Sequence, residues 1–71
     1  MDYPIENLGL SVRPYNSLRR AGIKTYGDLA KMTEEKLIMT RNFGRKSLDE
    51  VVQKFLEATG IDISKNIDPD K

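Results

Sequence analysis

Apolar side chains recur with helical spacing through residues 48–56, and this pattern constrains the fold more than any other feature of the chain. The intervening residues are mostly charged or polar. Positions spaced i, i+3, i+4, i+7 and i+8 share one face of an α-helix, so that face is expected to be buried. The helix ends at Gly60, because glycine readily adopts the left-handed conformation that stops a helix. The positions in the stripe are Leu48, Val51, Val52, Phe55 and Leu56.

Helix start and stop signals divide the rest of the chain into short segments. Ser11, Thr25 and Thr33 each precede a stretch compatible with a helix, and their hydroxyl groups can accept a backbone N–H of the first turn. Gly22 supplies a left-handed stop after the first of these stretches. Asp28 lies three residues after Thr25, which is the spacing of a capping box. The predicted helices are 12–20, 26–31, 34–39 and 46–59.

The expected fold class is all-α, a compact bundle of four short helices, because no segment alternates apolar and polar residues for long enough to indicate a strand. Residues 1–9 are expected to lead into a helical domain at 10–60. Residues 61–71 are expected to form a polar, flexible tail. The predicted core consists of Leu10, Leu18, Ile23, Leu29, Leu37, Phe43, Leu48, Val52 and Phe55.

The composition excludes several classes of function. With 71 residues and neither cysteine nor histidine, the chain offers no disulfide, no thiolate or imidazole catalyst and no zinc site of the usual kinds. We expect no metal, no cofactor and no enzymatic activity, since so small a domain has little room for a deep pocket. No apolar run approaches the roughly 20 residues of a membrane span, and the N-terminus lacks the pattern of a secretory signal. A cytoplasmic module without a membrane partner is expected.

Charge is distributed unevenly along a chain whose net charge is only +1. Residues 10–48 hold nine basic and three acidic side chains, whereas the segments on either side are net acidic. A basic middle between acidic ends is typical of a surface that binds a polyanion such as DNA. An ordinary solvated surface whose charges happen to cluster would give the same distribution, so this alternative stays open.

Two groups of residues favour nucleic-acid binding. In Asn42-Phe43-Gly44-Arg45-Lys46-Ser47, the glycine permits close backbone approach, and the lysine and serine at a helix start can bond phosphate oxygens; a simple helix-entry turn is the alternative. Arg13 and Asn16 lie three residues apart on one helix face and carry donors suited to base edges and sugar oxygens. A solvated helix face is the better explanation of that pair unless the two groups converge in space.

The order and spacing of these motifs resemble the C-terminal domain of the bacterial RNA polymerase α subunit. The resemblance covers about residues 5–60. The segments that carry it are Leu10-Ser11-Val12-Arg13-Pro14-Tyr15-Asn16-Ser17-Leu18-Arg19-Arg20-Ala21-Gly22-Ile23, Asp28-Leu29, Thr33-Glu34-Glu35, and Arg41-Asn42-Phe43-Gly44-Arg45-Lys46-Ser47-Leu48-Asp49-Glu50-Val51.

This resemblance implies a helix-hairpin-helix-related, SAM-like fold that contacts A/T-rich minor grooves upstream of promoters and docks transcription regulators. The implied partners are A/T-rich double-stranded DNA, transcription regulators and the rest of RNA polymerase. The isolated domain is expected to be a monomer in the bacterial cytoplasm, associated with the nucleoid. The implied DNA-binding residues are Arg13, Asn16, Asn42, Gly44, Lys46 and Ser47, and the implied regulator contacts are Tyr15, Ser17, Arg19, Thr33, Glu34 and Glu35.

The chain also departs from the family pattern, and two other functions stay open at this point. Ser17 stands where the family usually has cysteine, Pro14 where serine is common, and Gly9 where an acidic residue often faces the sigma factor. A generic helix-hairpin-helix module of a repair protein would explain the glycines at 22 and 44 by phosphate binding alone. A protein-binding helical adaptor would explain the core and leave the basic middle without a role.

Overall fold

The computed structural model describes residues 2–39 and 43–67 and shows, within those ranges, four α-helices flanked by two short 3₁₀ turns. No strand occurs in the described part of the chain, where the only extended pairing is an isolated bridge between Pro4 and Thr25. The all-α expectation is confirmed. The elements are the N-terminal 3₁₀ turn Ile5–Leu8, α1 Val12–Arg20, α2 Tyr26–Ala30, α3 Glu34–Met39, α4 Arg45–Thr59 and the C-terminal 3₁₀ turn Ile63–Lys65.

Most helix boundaries follow from local capping chemistry. The Thr25 hydroxyl accepts from the Asp28 N–H at 3.2 Å, and the Asp28 carboxylate accepts from the Thr25 N–H at 3.3 Å, which completes the expected capping box. Gly22 has a φ of +85°, the left-handed value expected of a helix stop. The predicted bounds of α1 and α3 agree with the structure. α2 ends one residue early, at Ala30, and α4 begins one residue early, at Arg45.

Ser11 does not cap α1 in the expected way. No side-chain hydrogen bond from Ser11 closes the first turn. Instead its hydroxyl donates to the Glu50 carboxylate at 2.9 Å, and its backbone N–H donates to the other oxygen of the same carboxylate. The prediction of a simple cap was wrong because a charged acceptor from α4 binds both polar groups of Ser11.

The core is a single cluster to which every helix contributes. Phe55 is fully buried, and its ring meets that of Tyr26 edge-on, with centroids 5.7 Å apart. Leu10 and Val52 were expected in the core but are only partly buried against it. The centre of the α4 stripe is Leu48, Val51 and Phe55, so Val52 lies at the stripe's edge. The buried apolar residues are Ile5, Leu8, Leu18, Ile23, Tyr26, Leu29, Leu37, Phe43, Leu48, Val51, Phe55 and Ile63.

Packing extends beyond residues 10–60 on both sides. Ile5 and Ile63 are both 0% exposed. The Asn66 side-chain amide donates to two backbone carbonyls, that of Ala30 at the end of α2 at 3.1 Å and that of Met32 in the α2–α3 connection at 2.8 Å. Residues 61–67 therefore cover one side of the core, although the sequence segment is mostly polar.

None of the helices seen in residues 2–39 and 43–67 has the length and apolar character needed to cross a membrane.

Candidate nucleic-acid interface

The start of α1 is fixed against α4 by the double hydrogen bond between Ser11 and Glu50. Ser11 immediately precedes α1, and Glu50 lies in the second turn of α4. Ser47 lies three residues before Glu50 and therefore shares its face of α4, one turn closer to the helix start. Arg13 lies two residues after Ser11, in the first turn of α1. The hydrogen-bond pair therefore joins the start of α1, which carries Arg13, to the second turn of α4.

One face of α1 lines a concave surface. Its lining includes Arg13, Asn16, Ser17 and Arg20, which follow the spacing i, i+3, i+4 and i+7. Arg13, Asn16 and Arg20 are exposed, and Ser17 is partly buried. Two guanidinium groups with an amide and a hydroxyl between them offer hydrogen-bond donors to an anionic ligand. Within the described ranges, no ion pair involves either arginine.

The N-terminus of α4 carries backbone donors that have no carbonyl partner within the helix. Gly44 is the N-cap, in an extended conformation with φ −75°, and it has no side chain that could cap the first turn. The first N–H of α4 to find a carbonyl within the helix is that of Leu48, which bonds the Gly44 carbonyl. The N–H groups of Arg45, Lys46 and Ser47 precede it, and the helix dipole adds partial positive charge there.

Gly44 leaves open space at the start of α4. A Cβ built on Gly44 would meet no atom of residues 2–39 and 43–67 within 4 Å, and the φ of Gly44 is not in the left-handed region. Neither the backbone conformation nor packing against the described residues requires glycine at this position. The absence of a side chain exposes the backbone to any ligand that approaches the end of the helix.

Lys46 and Arg45 are neighbours in sequence but differ in their contacts. The Arg45 guanidinium lies 3.5 Å from the Asp49 carboxylate one turn later. Lys46 is exposed and has no ion pair among residues 2–39 and 43–67. Lys46 is therefore the cation of this turn that is available to an external anion. Asn42, the remaining DNA-binding candidate, lies outside the described residues.

The expected regulator contacts on α1 lie on two different faces. Arg19 forms an ion pair with Glu6 at 3.6 Å, and its guanidinium lies 5.9 Å from the centre of the Tyr15 ring. Tyr15, Arg19 and Glu6 thus form a separate group beside the N-terminal 3₁₀ turn. Ser17 instead lines the concave surface with Arg13.

The candidates at the start of α3 have different exposures. The Thr33 hydroxyl accepts from the Lys36 N–H at 3.1 Å, and Thr33 is only 5% exposed. Glu34 is partly buried and Glu35 is exposed, both in the first turn of the helix. Thr33 caps α3 as predicted, while the two glutamates supply the accessible acidic surface.

Two participants in this interface were missed in the sequence. Arg20 lies seven residues after Arg13, so its helical spacing could have placed it on the same face. Glu50 falls outside the apolar stripe of α4 and lies 39 residues from Ser11. No local pattern could have indicated that pair.

Comparison with known proteins identifies the family. The profile of the C-terminal domain of the bacterial RNA polymerase alpha chain matches residues 1–57. The protein is 50% identical over 64 residues to the DNA-directed RNA polymerase subunit alpha of Carboxydothermus hydrogenoformans, covering 90% of this chain and 20% of that protein. It is 53% identical over 68 residues to the corresponding subunit of Heliobacterium modesticaldum, covering 96% of this chain and 21% of that protein.

A solved structure shares the fold. The NMR structure of the C-terminal domain of the RNA polymerase alpha subunit from Helicobacter pylori superposes with a TM-score of 0.81 at 37% identity, covering 96% of this chain and 59% of that one. The protein spans about a fifth of the length of the curated relatives it matches. By profile, sequence and fold, it belongs to the family of C-terminal domains of the bacterial RNA polymerase alpha chain.

Proposed function

We propose that this domain binds double-stranded DNA through one surface, the α1–α4 basic surface, formed by Arg13, Asn16, Gly44, Lys46 and Ser47. The observation that supports this proposal is the Ser11–Glu50 hydrogen-bond pair, which joins the start of α1 to the second turn of α4, one turn after the residues that begin that helix. Asn42, which precedes that start, is proposed to contribute to the same surface. Binding rather than catalysis is the proposed role of the domain.

Arg13 is proposed to enter a narrow A/T-rich minor groove. Such grooves concentrate negative potential, and that potential favours an inserted arginine. Arg13 is exposed at the start of α1, and no carboxylate in the described ranges forms an ion pair with it. Asn16, one turn later on the same face, is proposed to bond base edges or sugar oxygens beside it.

The start of α4 is proposed to hold the flanking phosphates. Lys46 supplies a charge, Ser47 a hydroxyl, and the first-turn backbone N–H groups supply further donors in the field of the helix dipole. Gly44 permits a sugar-phosphate backbone to approach, because it has no side chain and none of the described residues would contact a Cβ there. These contacts are independent of base sequence, so they add affinity and little selectivity.

Substitution of Arg13 separates minor-groove recognition from general phosphate binding. Arg13→Ala should weaken binding and remove most of the preference for A/T-rich over G/C-rich duplexes, because the groove shape is what this residue reads. Asn16→Ala should give a weaker version of the same effect. The measurement is a competition titration against both duplexes at two salt concentrations. An Arg13→Ala protein that keeps the parent's preference would support the generic phosphate-binding alternative.

Lys46 and Arg45 provide a matched control for the phosphate contacts. Lys46→Ala should weaken binding to both duplexes alike and reduce the salt slope by about one ion. Arg45→Ala removes the same charge from the same turn, but Arg45 faces Asp49, so its effect on the slope should be clearly smaller. Equal reductions of the salt slope by the two variants would mean that the charges of this turn act only through long-range electrostatics and that Lys46 makes no specific phosphate contact.

We further propose that regulators dock on two other surfaces. Tyr15, Arg19 and Glu6 present a ring, a guanidinium and a carboxylate beside the N-terminal 3₁₀ turn. The second surface is the start of α3, with Thr33, Glu34 and Glu35, where the glutamates are the accessible groups. A regulator would reach Ser17 from the concave surface.

If Glu34 and Glu35 serve a regulator, replacing both with glutamine should reduce regulator-dependent transcription and leave duplex binding unchanged. Loss of stability alone, about 1 kcal/mol, would indicate that they act on the helix dipole.

The relatives are subunits of DNA-directed RNA polymerase, and we propose that this domain acts in transcription in the bacterial cytoplasm, at the nucleoid, joined to the rest of that enzyme. A lone domain of this size offers few phosphate contacts. Attachment to a polymerase already on the promoter would raise its effective concentration at the neighbouring duplex. Weak binding by the isolated monomeric domain is therefore compatible with the proposed role.

A further inference from the structure

We infer that Arg20 is an additional phosphate-binding residue that extends the DNA contact surface along α1, beyond the site described above. The inference rests on the proposed function, since it assumes that a duplex occupies the α1–α4 basic surface. It adds a residue that lies at the far end of α1 from Arg13. With Arg20 included, the domain would contact a longer stretch of the DNA backbone than it would through the starts of α1 and α4 alone.

The geometry of α1 places Arg20 in line with Arg13. Both residues line the same concave surface, with Asn16 and Ser17 between them. Seven residues of α-helix rise about 10 Å, which is close to two full turns. Along the axis of a duplex about 10 Å corresponds to roughly three base pairs. A duplex seated at Arg13 therefore has backbone phosphates within reach of a long, exposed arginine at the other end of the surface.

The neighbouring residue, Arg19, has the same charge but a different environment. Its guanidinium lies 3.6 Å from the Glu6 carboxylate and 5.9 Å from the centre of the Tyr15 ring. Arg20 has no such ion pair within the part of the chain that the structure describes. An arginine already facing a carboxylate gains less from a phosphate than one whose five donors face only solvent. The two adjacent arginines thus differ in what they offer to DNA.

The size of the expected effect follows from counterion release. Each phosphate contact adds about 0.9 to the slope of log K against log salt concentration. If such a contact contributes nothing near about 1 M salt, its loss weakens binding about 15-fold at ~50 mM salt and about fourfold at ~200 mM. A charge acting only at long range through solvent would give a smaller change.

The test compares Arg20→Gln with Arg19→Gln in the full chain, titrated with one A/T-rich duplex at several salt concentrations. Glutamine has a long polar side chain and is a good helix former, so both variants should melt at the parent's temperature. We expect Arg20→Gln to reduce the salt slope by about one and to weaken binding by the factors above. Arg19→Gln should change the affinity less than about twofold, since its charge faces Glu6.

The outcomes separate this inference from the proposed function. If Arg13→Ala and Lys46→Ala have their expected effects but Arg20→Gln matches Arg19→Gln, the inference is overturned and the proposed function stands. If the parent does not bind the duplex in a salt-dependent way, both fail. If Arg20→Gln abolishes the A/T preference as well as lowering the slope, Arg20 reads the groove rather than a phosphate, and the inference is wrong as stated.

Discussion

Asp28 shows how one side chain fixes a short helix in this protein. Its carboxylate accepts backbone N–H groups of Lys24 at 3.1 Å and Thr25 at 3.3 Å. The hydrogen bond from the Lys24 N–H, with smaller help from Thr25 and the Lys31 charge, holds the pKa of Asp28 below its ordinary value against the opposing effect of desolvation. The ionised carboxylate is therefore more favourable in the folded than in the unfolded chain.

Asp28→Asn should lower the melting temperature at neutral pH, with a difference from the parent that shrinks in acid. Because the folded pKa is the lower one, the stabilisation is fully present above the unfolded pKa of about 4 and is lost as the pH falls through the folded pKa. Thermal melts of both proteins from about pH 7 to about pH 2 test this. A difference that stays constant over that range would show that the charge of Asp28 contributes nothing.

The proposed DNA-binding residues were predictable to different degrees. Helical spacing alone places Arg13 and Asn16 on one face, and the same rule applied over two turns reaches Arg20. The difference between Arg19 and Arg20 was not predictable, because it depends on Glu6, a residue in another element. Local spacing indicates which side chains share a face, but tertiary contacts decide which of their charges are already neutralised.

Between elements, the junction of α1 with α4 is the contact on which the proposed site depends. The Glu50 carboxylate accepts from both polar groups of Ser11, and charge-assisted bonds of this kind are about twice as strong as neutral ones. The sequence predicted each helix from its own caps and periodicity. It could not predict the junction, because a serine before one helix and a glutamate in another carry no shared local signal.

Glu50→Gln should cost about 1 kcal/mol of stability and should also reduce the preference for A/T-rich DNA. Removing a negative charge near bound DNA would by itself strengthen binding, so weaker A/T selectivity would identify a positioning role. Glu57→Gln is the matched control, since the Glu57 carboxylate bonds Gln53 within α4 at 3.1 Å. Tighter binding by Glu50→Gln with selectivity unchanged would contradict the positioning role.

For the molecule as a whole, the segments outside the four helices complete the core. The sequence predicted the α4 stripe and most core residues correctly because helical periodicity is a local property. It did not predict the packing of residues 61–67, because a few isoleucines in a polar stretch show no helical stripe. Ile63 fills space that the four helices leave open, and Asn66 ties the segment to the α2–α3 connection.

Ile63→Ala should cost about 2–5 kcal/mol, the usual range for truncating a fully buried isoleucine. That is a large share of the roughly 5–15 kcal/mol available to a typical domain. Ile67→Ala, four residues later, removes a side chain that is 85% exposed and should change stability by less than about 0.5 kcal/mol. Denaturant unfolding of both variants measures the difference. Equal and small effects would show that this segment does not support the core.

Titration of the ¹⁵N-labelled protein with an A/T-rich duplex, followed by backbone amide shifts, tests the proposed DNA-binding surface most directly. We expect the largest shifts along the concave face of α1, at Arg13, Asn16 and Arg20, and in the first turn of α4 from Arg45 to Ser47. Residues of the C-terminal 3₁₀ turn, Ile63–Lys65, should remain unshifted. Shifts centred on α3 or on the C-terminal turn, with α1 and the start of α4 unchanged, would contradict the proposed DNA-binding surface.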